Sequence, residues 1–448
     1  MAREYNFTQG NILKALLAFT GPVLLSLVMQ AMYGAVDVWV VGQFATAADV
    51  SAVSTGSQIT MTVTGLIAGL SMGATVLLGQ RIGAGDREGA GEAMGAAICL
   101  FAAFGAVLTV AMMALSRPLA RLMQAPPEAL DFTVQYIFVC SAGELFIVAY
   151  NVLGAIFRGI GDSRTPMITV AIACAFNIAL DVALVAGLHW GARGAALATV
   201  VSQGVSVALS MLIIRRQKLP FAFNAGMLRF RPAIVRRILA LGTPIALQDL
   251  LVGLSFLVIL AIVNSLGLIA SAGMGVAEKL CGFIMLVPSS FMQSMSAFVA
   301  QNVGARQFSR AKEAMRTGIL LSLSVGAVIA AFAFFRGDLL CRIFTHEPEV
   351  IRAGWDYLRS YAIDTLLVSF LFSFVGYYNG LGKTTFSMVQ GIIGAFCVRI
   401  PFSFLMSRVT GNLFLIGLAT PSSTLVQILL CVVYWRWLGK HTSEEPTA

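Results

Sequence analysis

Two carboxylates stand where hydrocarbon is expected. Asp37 lies near the end of a long apolar segment, 12–41, and Asp181 lies deep in another, 166–188. About 20 apolar residues suffice for a helix to cross a bilayer. A carboxylate inside such a helix costs about 2.5 kcal/mol or more, so intramembrane acids are rare and usually mark ion or proton pathways. A carboxylate pair offers hard oxygens for a cation such as Na⁺. It equally suits a proton, because desolvation and a like-charged neighbour both favour the neutral acid.

The rest of the chain supplies the frame for these acids. Of its 448 residues, 58% are hydrophobic and 11% charged, against about 25% charged in a soluble domain. Apolar segments long enough to span recur at 12–41, 51–78, 92–115, 130–156, 166–188, 191–214, 234–264, 271–301, 312–334, 351–379, 385–407 and 412–438. The expected fold is an all-α membrane protein of twelve transmembrane helices. An even number of spans puts both termini on one side. If that side is the cytoplasm, its loops hold twenty Lys and Arg and the opposite loops seven: Arg117, Arg121, Arg193, Arg336, Arg342, Arg352 and Arg408. This is a positive-inside bias. The net charge of +9 is therefore a topology signal and not a nucleic-acid footprint. The first apolar segment is too long for a cleavable signal and is read as a permanent helix. The seven cysteines form no CxxC pair and no metal-ligand spacing with the histidines. They are expected to be buried, inert thiols.

The chain repeats itself. Gln80, Gly83, Ala84, Ala90, Glu92, Ala93, Met94 and Ile98 recur 221 positions later as Gln301, Gly304, Ala305, Ala311, Glu313, Ala314, Met315 and Ile319. Tyr136 and Tyr357, Gly159 and Gly380, and Gly161 and Gly382 keep the same offset. Six helices per half give both halves the same orientation. Two six-helix bundles are therefore expected, related by a pseudo-two-fold axis along the membrane normal. The expected boundaries are an N-terminal lobe at 1–214, a basic cytoplasmic linker at 215–233, a C-terminal lobe at 234–440 and a polar tail at 441–448. The turns Gly159-Ile160-Gly161 and Gly380-Leu381-Gly382 join helices in both halves, and tight turns explain them better than phosphate binding.

Gly159-Ile160-Gly161-Asp162-Ser163-Arg164-Thr165-Pro166, Gly79-Gln80-x-x-Gly83-Ala84 and Gln301-Asn302-x-Gly304-Ala305 resemble motifs of the multidrug and toxic compound extrusion (MATE) transporters. The resemblance covers essentially the whole chain. It implies a V-shaped cleft between two six-helix bundles, and export of organic cations or other amphipathic compounds against a proton or sodium gradient. Pro22 and Asp37 in the first helix, Asn177-x-x-x-Asp181 in the fifth and Thr199 in the sixth resemble the DinF-like branch more closely. In that branch these positions imply a cation-coupling site in the N-terminal lobe, with Pro22 in the first helix. The sodium-linked branch carries acids in the seventh and tenth helices, where Asp249 and Asp364 stand here.

Helix rise is compatible with such a site. Asp181 comes fifteen residues after Pro166, or about 22 Å into a core about 30 Å thick. Asn177 and Asp181 share a helix face, and Asp37 and Thr199 fall at similar depth. Across the repeat Asp37 maps to Ile259, and Asp181 to Phe402 or, with a one-residue slip, Pro401. The fold alone therefore does not require the two acids. Pro22 removes a backbone bond and is a candidate hinge or a static bend; Pro244 in the matching place favours the bend. Asp249, Glu278, Asp364 and Arg399 form a candidate C-lobe polar site, with mutual neutralisation as its structural alternative. Met61, Met72, Tyr150, Phe157, Met285, Met292 and Gln293 are candidate cleft residues, since Met and aromatic side chains suit adaptable apolar sites.

The leading expectation is a secondary active efflux transporter working by cation antiport with alternating access, with H⁺ favoured over Na⁺. It is expected to be a monomer in the plasma (inner) membrane, without a cofactor and without nucleic-acid partners. A flippase for a lipid-linked precursor is the alternative within the same superfamily. It would favour a basic cavity, but only Lys279, Arg359 and Arg399 lie mid-membrane. A membrane enzyme or receptor finds no nucleotide motif, metal cluster or Ser/His/Asp arrangement.

Overall fold

Backbone N–H and C=O groups in hydrocarbon must bond within their own segment, so apolar segments of this length become helices. The computed structural model describes residues 6–216, 219–221 and 223–441. Arg3 and Lys218, which entered the charge comparison, and residues 442–448 of the tail lie outside the described residues. Among those described there are helices and no strands.

Twelve spans result. They are α1 Ile12–Phe44, α2 Ala47–Gly83, α3 Arg87–Leu122, α4 Leu130–Ala142 with Glu144–Ile160, α5 Arg164–Gly187 and α6 Gly191–Arg216 in the first half. The second half holds α7 Pro232–Asn264, α8 Leu268–Gly304, α9 Phe308–Cys341, α10 Pro348–Gly380, α11 Thr384–Val409 and α12 Leu413–Lys440. The helix α4 is one span only if its bend is counted inside it: the two segments meet at Gly143 at 51°. Two helices change winding. The last turn and a half of α5, Val182–Gly187, is π-helical, and so is Ile393–Arg399 within α11.

The chain forms two compact units, Met1–Ala246 with Ala300–Gln307, and Leu247–Val299 with Phe308–Ala448. The first unit is built around Ile67, Val76, Leu78, Met94, Ile156 and Ile238; the second has a core around Ile259, Val263, Met274, Tyr357, Leu358 and Ile416.

The motif at 159–166 is structural. Gly161 has φ of 91°, a left-handed residue that closes α4, and Gly382 has φ of 76° after α10. Asp162 then accepts from the N–H groups of Arg164 and Thr165 at 3.0 Å each and from the Thr165 hydroxyl at 2.5 Å. These bonds satisfy free donors at the start of α5. Five cysteines are buried, but Cys99 is half-buried and Cys397 is exposed. The expectation of uniformly buried thiols fails at those two positions.

A second carboxylate sets the register of the helices around the acids. Thr46 and Asp49 form a capping box at the start of α2, with Thr46 N–H and hydroxyl donating to Asp49 Oδ2 at 3.1 and 2.6 Å. The other oxygen, Asp49 Oδ1, accepts from the Ala192 N–H at 2.9 Å. One buried side chain thereby ties the first turn of α6 to the first turn of α2. Asp49→Ala removes both sets of bonds, and charge-assisted bonds are worth about 1.5–3 kcal/mol each. The expected outcome is a fall of about 2–5 °C in the melting temperature of the purified protein, with a smaller fall for Asp49→Asn.

Candidate cation-coupling site

Asp37 sits two turns before the end of α1, on the face that meets α5 and α6. Its helix neighbours on that face are apolar or aromatic, following the four-residue spacing of a helix face. Tyr33, one turn earlier, packs with Val170, Ala173 and Cys174, and its hydroxyl donates to the Val170 carbonyl at 3.3 Å. Val40 and Val41, one turn later, are buried with Ala52, Val53, Val185, Ala192, Ala195 and Ala196. The carboxylate is therefore enclosed between two apolar clusters along the helix axis.

Asp181, Asn177 and Thr199 converge on it. Asp37 is within side-chain hydrogen-bonding reach of all three. Asp37 is 3% exposed, and Asn177 and Asp181 are 0% exposed, so bulk water does not solvate the group. One bond has well-formed geometry: the Thr199 hydroxyl donates to Asp37 Oδ2 at 2.9 Å. Asp37 Oδ1, both oxygens of Asp181, and the oxygen and nitrogen of the Asn177 amide lie close together without a hydrogen bond of well-formed geometry. Buried side-chain polar atoms are usually paired. These buried, incompletely paired polar atoms make the cluster the candidate site.

The chemistry of the cluster says what that is. An ionised carboxylate is an acceptor only, so Asp37 and Asp181, when both are ionised, repel each other until a positive charge comes between them. A proton on either acid creates the missing donor and removes half the charge. A metal cation would find two carboxylates, an amide oxygen and a hydroxyl, all hard oxygen ligands. Among the described residues no group of three or more His, Cys, Asp or Glu side chains could hold a metal ion. The π-helical turns that begin directly after Asp181 place the site at a helix irregularity, a frequent feature of functional sites.

The remaining sequence-predicted residues scatter. Pro22 lies inside α1, four turns from Asp37, and α1 continues through it from Ile12 to Phe44. The Ser26 hydroxyl donates to the Pro22 carbonyl at 2.8 Å. In the second unit Asp364 and Arg399 are buried and within electrostatic reach of each other. Arg399 Nη1 donates to the Ser255 hydroxyl at 3.0 Å, and its guanidinium lies 4.4 Å from the Phe256 ring centroid. Among the described residues no ion pair joins Asp364 to Arg399. Glu278 is half-buried and Asp249 exposed. Glu278, Asp364 and Arg399 all lie within electrostatic reach of Tyr357.

The candidate cleft residues also need correction. Met72 and Phe157 are core residues, Met72 packed around Ile67 and Val76 and Phe157 against Leu153 and Val207. A side chain enclosed by its own bundle offers no surface to a substrate. Met61 is exposed on α2, and Tyr150, Met285, Met292 and Gln293 are half-buried.

Sequence reasoning missed Tyr33 and Cys140 as neighbours of the site. Cys140, on α4, lies within electrostatic reach of both Asp37 and Glu144. Glu144 is buried directly after the Gly143 break, with Oε1 unpaired. Tyr33 stands four residues before Asp37, a spacing that signals a shared face. For Cys140 the signal was absent, because the Gly143 break decides where α4 points.

A model of the MatE family matches the chain twice, over residues 22–183 and again over 244–405. The chain belongs to the MatE family. Its members are transporters and not enzymes. The doubled match also places the two halves of the repeat on one family pattern. Among curated relatives, the chain is 28% identical to the probable multidrug resistance protein YpnP of Bacillus subtilis, over 97% of each chain. It is 26% identical to the probable multidrug resistance protein NorM of Thermotoga maritima, over 89% of this chain and 86% of that one. A crystal structure of a MATE protein in complex with MaL6 superposes with a TM-score of 0.92 at 21% identity, covering 99% of this chain and all of the other. The MATE fold is thus shared over the full length.

If the acid pair is a ligand site and not a structural one, neutralising it should not harm the fold. Asp37→Asn keeps the shape, ends the repulsion and adds a donor for Asp181. The melting temperature at neutral pH and low sodium should hold or rise by about 1–3 °C, since relief of a buried like-charge contact is worth about 1 kcal/mol or more. A fall of more than 5 °C would mark the pair as structural.

Proposed function

We propose that this chain is a secondary active transporter that exports amphipathic or cationic organic compounds in exchange for a cation bound at Asp37 and Asp181. The carrying observation is the set of five buried, incompletely paired polar atoms on Asp37, Asn177 and Asp181. The names of the relatives, probable multidrug resistance proteins, support the substrate class. The match of Pro22, Asp37, Asn177, Asp181 and Thr199 to the DinF-like pattern supports protons over sodium. The twelve spans and the basic bias of alternate loops support a multi-pass protein of the inner membrane with both termini cytoplasmic.

The mechanism follows from charge. An exchanger must not return empty across the membrane. It avoids this if the cation and the substrate disfavour each other. With both acids ionised, the pocket projects negative charge that attracts a cationic compound. When a proton or Na⁺ enters, that charge is cancelled and the contact between α1, α5 and α6 changes from repulsive to cohesive. Thr199 holds one oxygen of Asp37 in a fixed direction, so the incoming cation meets the other. The apolar clusters around Tyr33 and around Val40 and Val41 exclude water and keep these electrostatic effects strong. Cation and substrate are then linked, and each weakens the other's binding by the same factor.

Asp37→Asn and Asp181→Asn should each reduce coupled efflux of a cationic dye at least tenfold while expression stays near normal. In the parent protein, dye affinity in a binding titration should fall as the pH is lowered at constant salt. Affinity that responds to added Na⁺ at fixed ionic strength, but is flat from about pH 8 to 5.5, the range over which a desolvated carboxylate pair takes up a proton, would replace the proton by sodium. Wild-type efflux by either variant across that range would remove the residue from the coupling site.

A further inference from the structure

The segment before α1 is folded back onto the protein in a specific way. Asn6 forms a side-chain turn, accepting from the Thr8 N–H at 3.0 Å and the Thr8 hydroxyl at 2.5 Å. Gly10 has φ of 77°, and Asn11 caps α1 by accepting from the Lys14 N–H at 3.0 Å. The result places Phe7 against Phe19, two turns into α1, with ring centroids 5.0 Å apart and planes at 89°. Phe7 is fully buried, although it lies in an irregular segment outside any helix.

Its backbone is held by the end of α8. The Phe7 N–H donates to Gln301 Oε1 at 3.4 Å, and Asn302 Nδ2 donates to the Phe7 carbonyl at 3.2 Å. The same Gln301 amide donates through Nε2 to the Gly159 carbonyl at the end of α4, at 3.0 Å. One side chain therefore joins the segment before α1, α4 and α8. Beside it the two repeats cross on their glycines. A Cβ on Gly83 would strike the Gln301 carbonyl, and a Cβ on Gly304 would strike the Gln80 carbonyl. These are the residues that the 221-residue repeat pairs, so each copy packs on the backbone of the other.

All of these residues belong to the first compact unit, whereas the rest of α8, Leu268–Val299, belongs to the second. The last residues of α8 are thus held by the bundle that carries Asp37. We propose that residues 6–8 are a releasable strap: Phe7 clamps the cytoplasmic end of α8 to the first bundle, and the strap lets go when the transporter opens to the cytoplasm. The inference rests on the transport reading and adds a device to it. The helix α1 carries the strap at one end and Asp37 near the other, so a change at the acids reaches α8 through a single helix. The contacts are local and include side-chain hydrogen bonds, an aromatic pair and the two glycine crossings. Such a set biases a two-state equilibrium without freezing it.

Two measurements test it, in a background where Cys99 and Cys397 are serine. In the first, Ala300, fully buried here, is replaced by cysteine, and its alkylation by a charged maleimide is timed in inside-out vesicles without substrate. Phe7→Ala should raise that rate about tenfold or more, and Phe7→Leu should raise it much less. In the second, Thr8→Cys and Val303→Cys, next to the bonded residues, are bridged by a short reducible bis-methanethiosulfonate. Dye efflux should stop on bridging and return on reduction. An unchanged alkylation rate in Phe7→Ala, or full efflux by the bridged protein, would overturn the strap. Because alkylation needs no substrate, failure of the transport reading alone would appear as absent efflux in the unbridged parent with the alkylation response intact.

Discussion

The burial of two neighbouring carboxylates is the constraint around which the first bundle is arranged. Asp37 and Asp181 are within side-chain hydrogen-bonding reach of each other and well enclosed. Packing an acid in that way is costly in hydrocarbon, and a structural role would call for donors around it. The structure provides a single well-formed one, the Thr199 hydroxyl. The surroundings are instead Val40, Val41, Val53, Val185 and a run of alanines on α6, which keep water out and cannot neutralise anything.

Other features make sense as supports for that pocket. Asp49 fixes the start of α6 against the start of α2, which sets the depth at which Thr199 meets α1. The Tyr33 hydroxyl ties α1 to the Val170 carbonyl of α5, one turn from Asp37. The π-helical end of α5 follows Asp181 immediately. The Asp49 and Tyr33 contacts are made by different helix pairs, α2 with α6 and α1 with α5.

Much of this was legible in the sequence. Eleven spans are single helices by length and hydropathy, and the twelfth is the bent α4. The repeat appears in the chain as a fixed offset and in the family match as two copies. The four residues of the N-terminal site meet because helix rise and the four-residue period are nearly invariant, so depth and face can be counted. What escaped depended on packing. The break at Gly143 has no proline to announce it, and it redirects Glu144 and Cys140. Met72 and Phe157 were assigned to a cleft on residue type, yet type alone does not say whether a side chain faces its own bundle. In the second unit Arg399 meets Ser255 and Phe256 on α7, contacts that no spacing in the sequence announces.

The central claim is that a cation at Asp37 and Asp181 is exchanged for substrate. Ion flux in proteoliposomes, driven by a substrate gradient, with pH and sodium gradients imposed separately, tests it most directly. The account predicts that substrate leaving one side moves protons the opposite way, that an imposed pH gradient drives uphill substrate movement, and that Asp37→Asn abolishes both. Substrate movement that proceeds with neither gradient coupled to it, or coupled flux that persists in Asp37→Asn, would contradict the account.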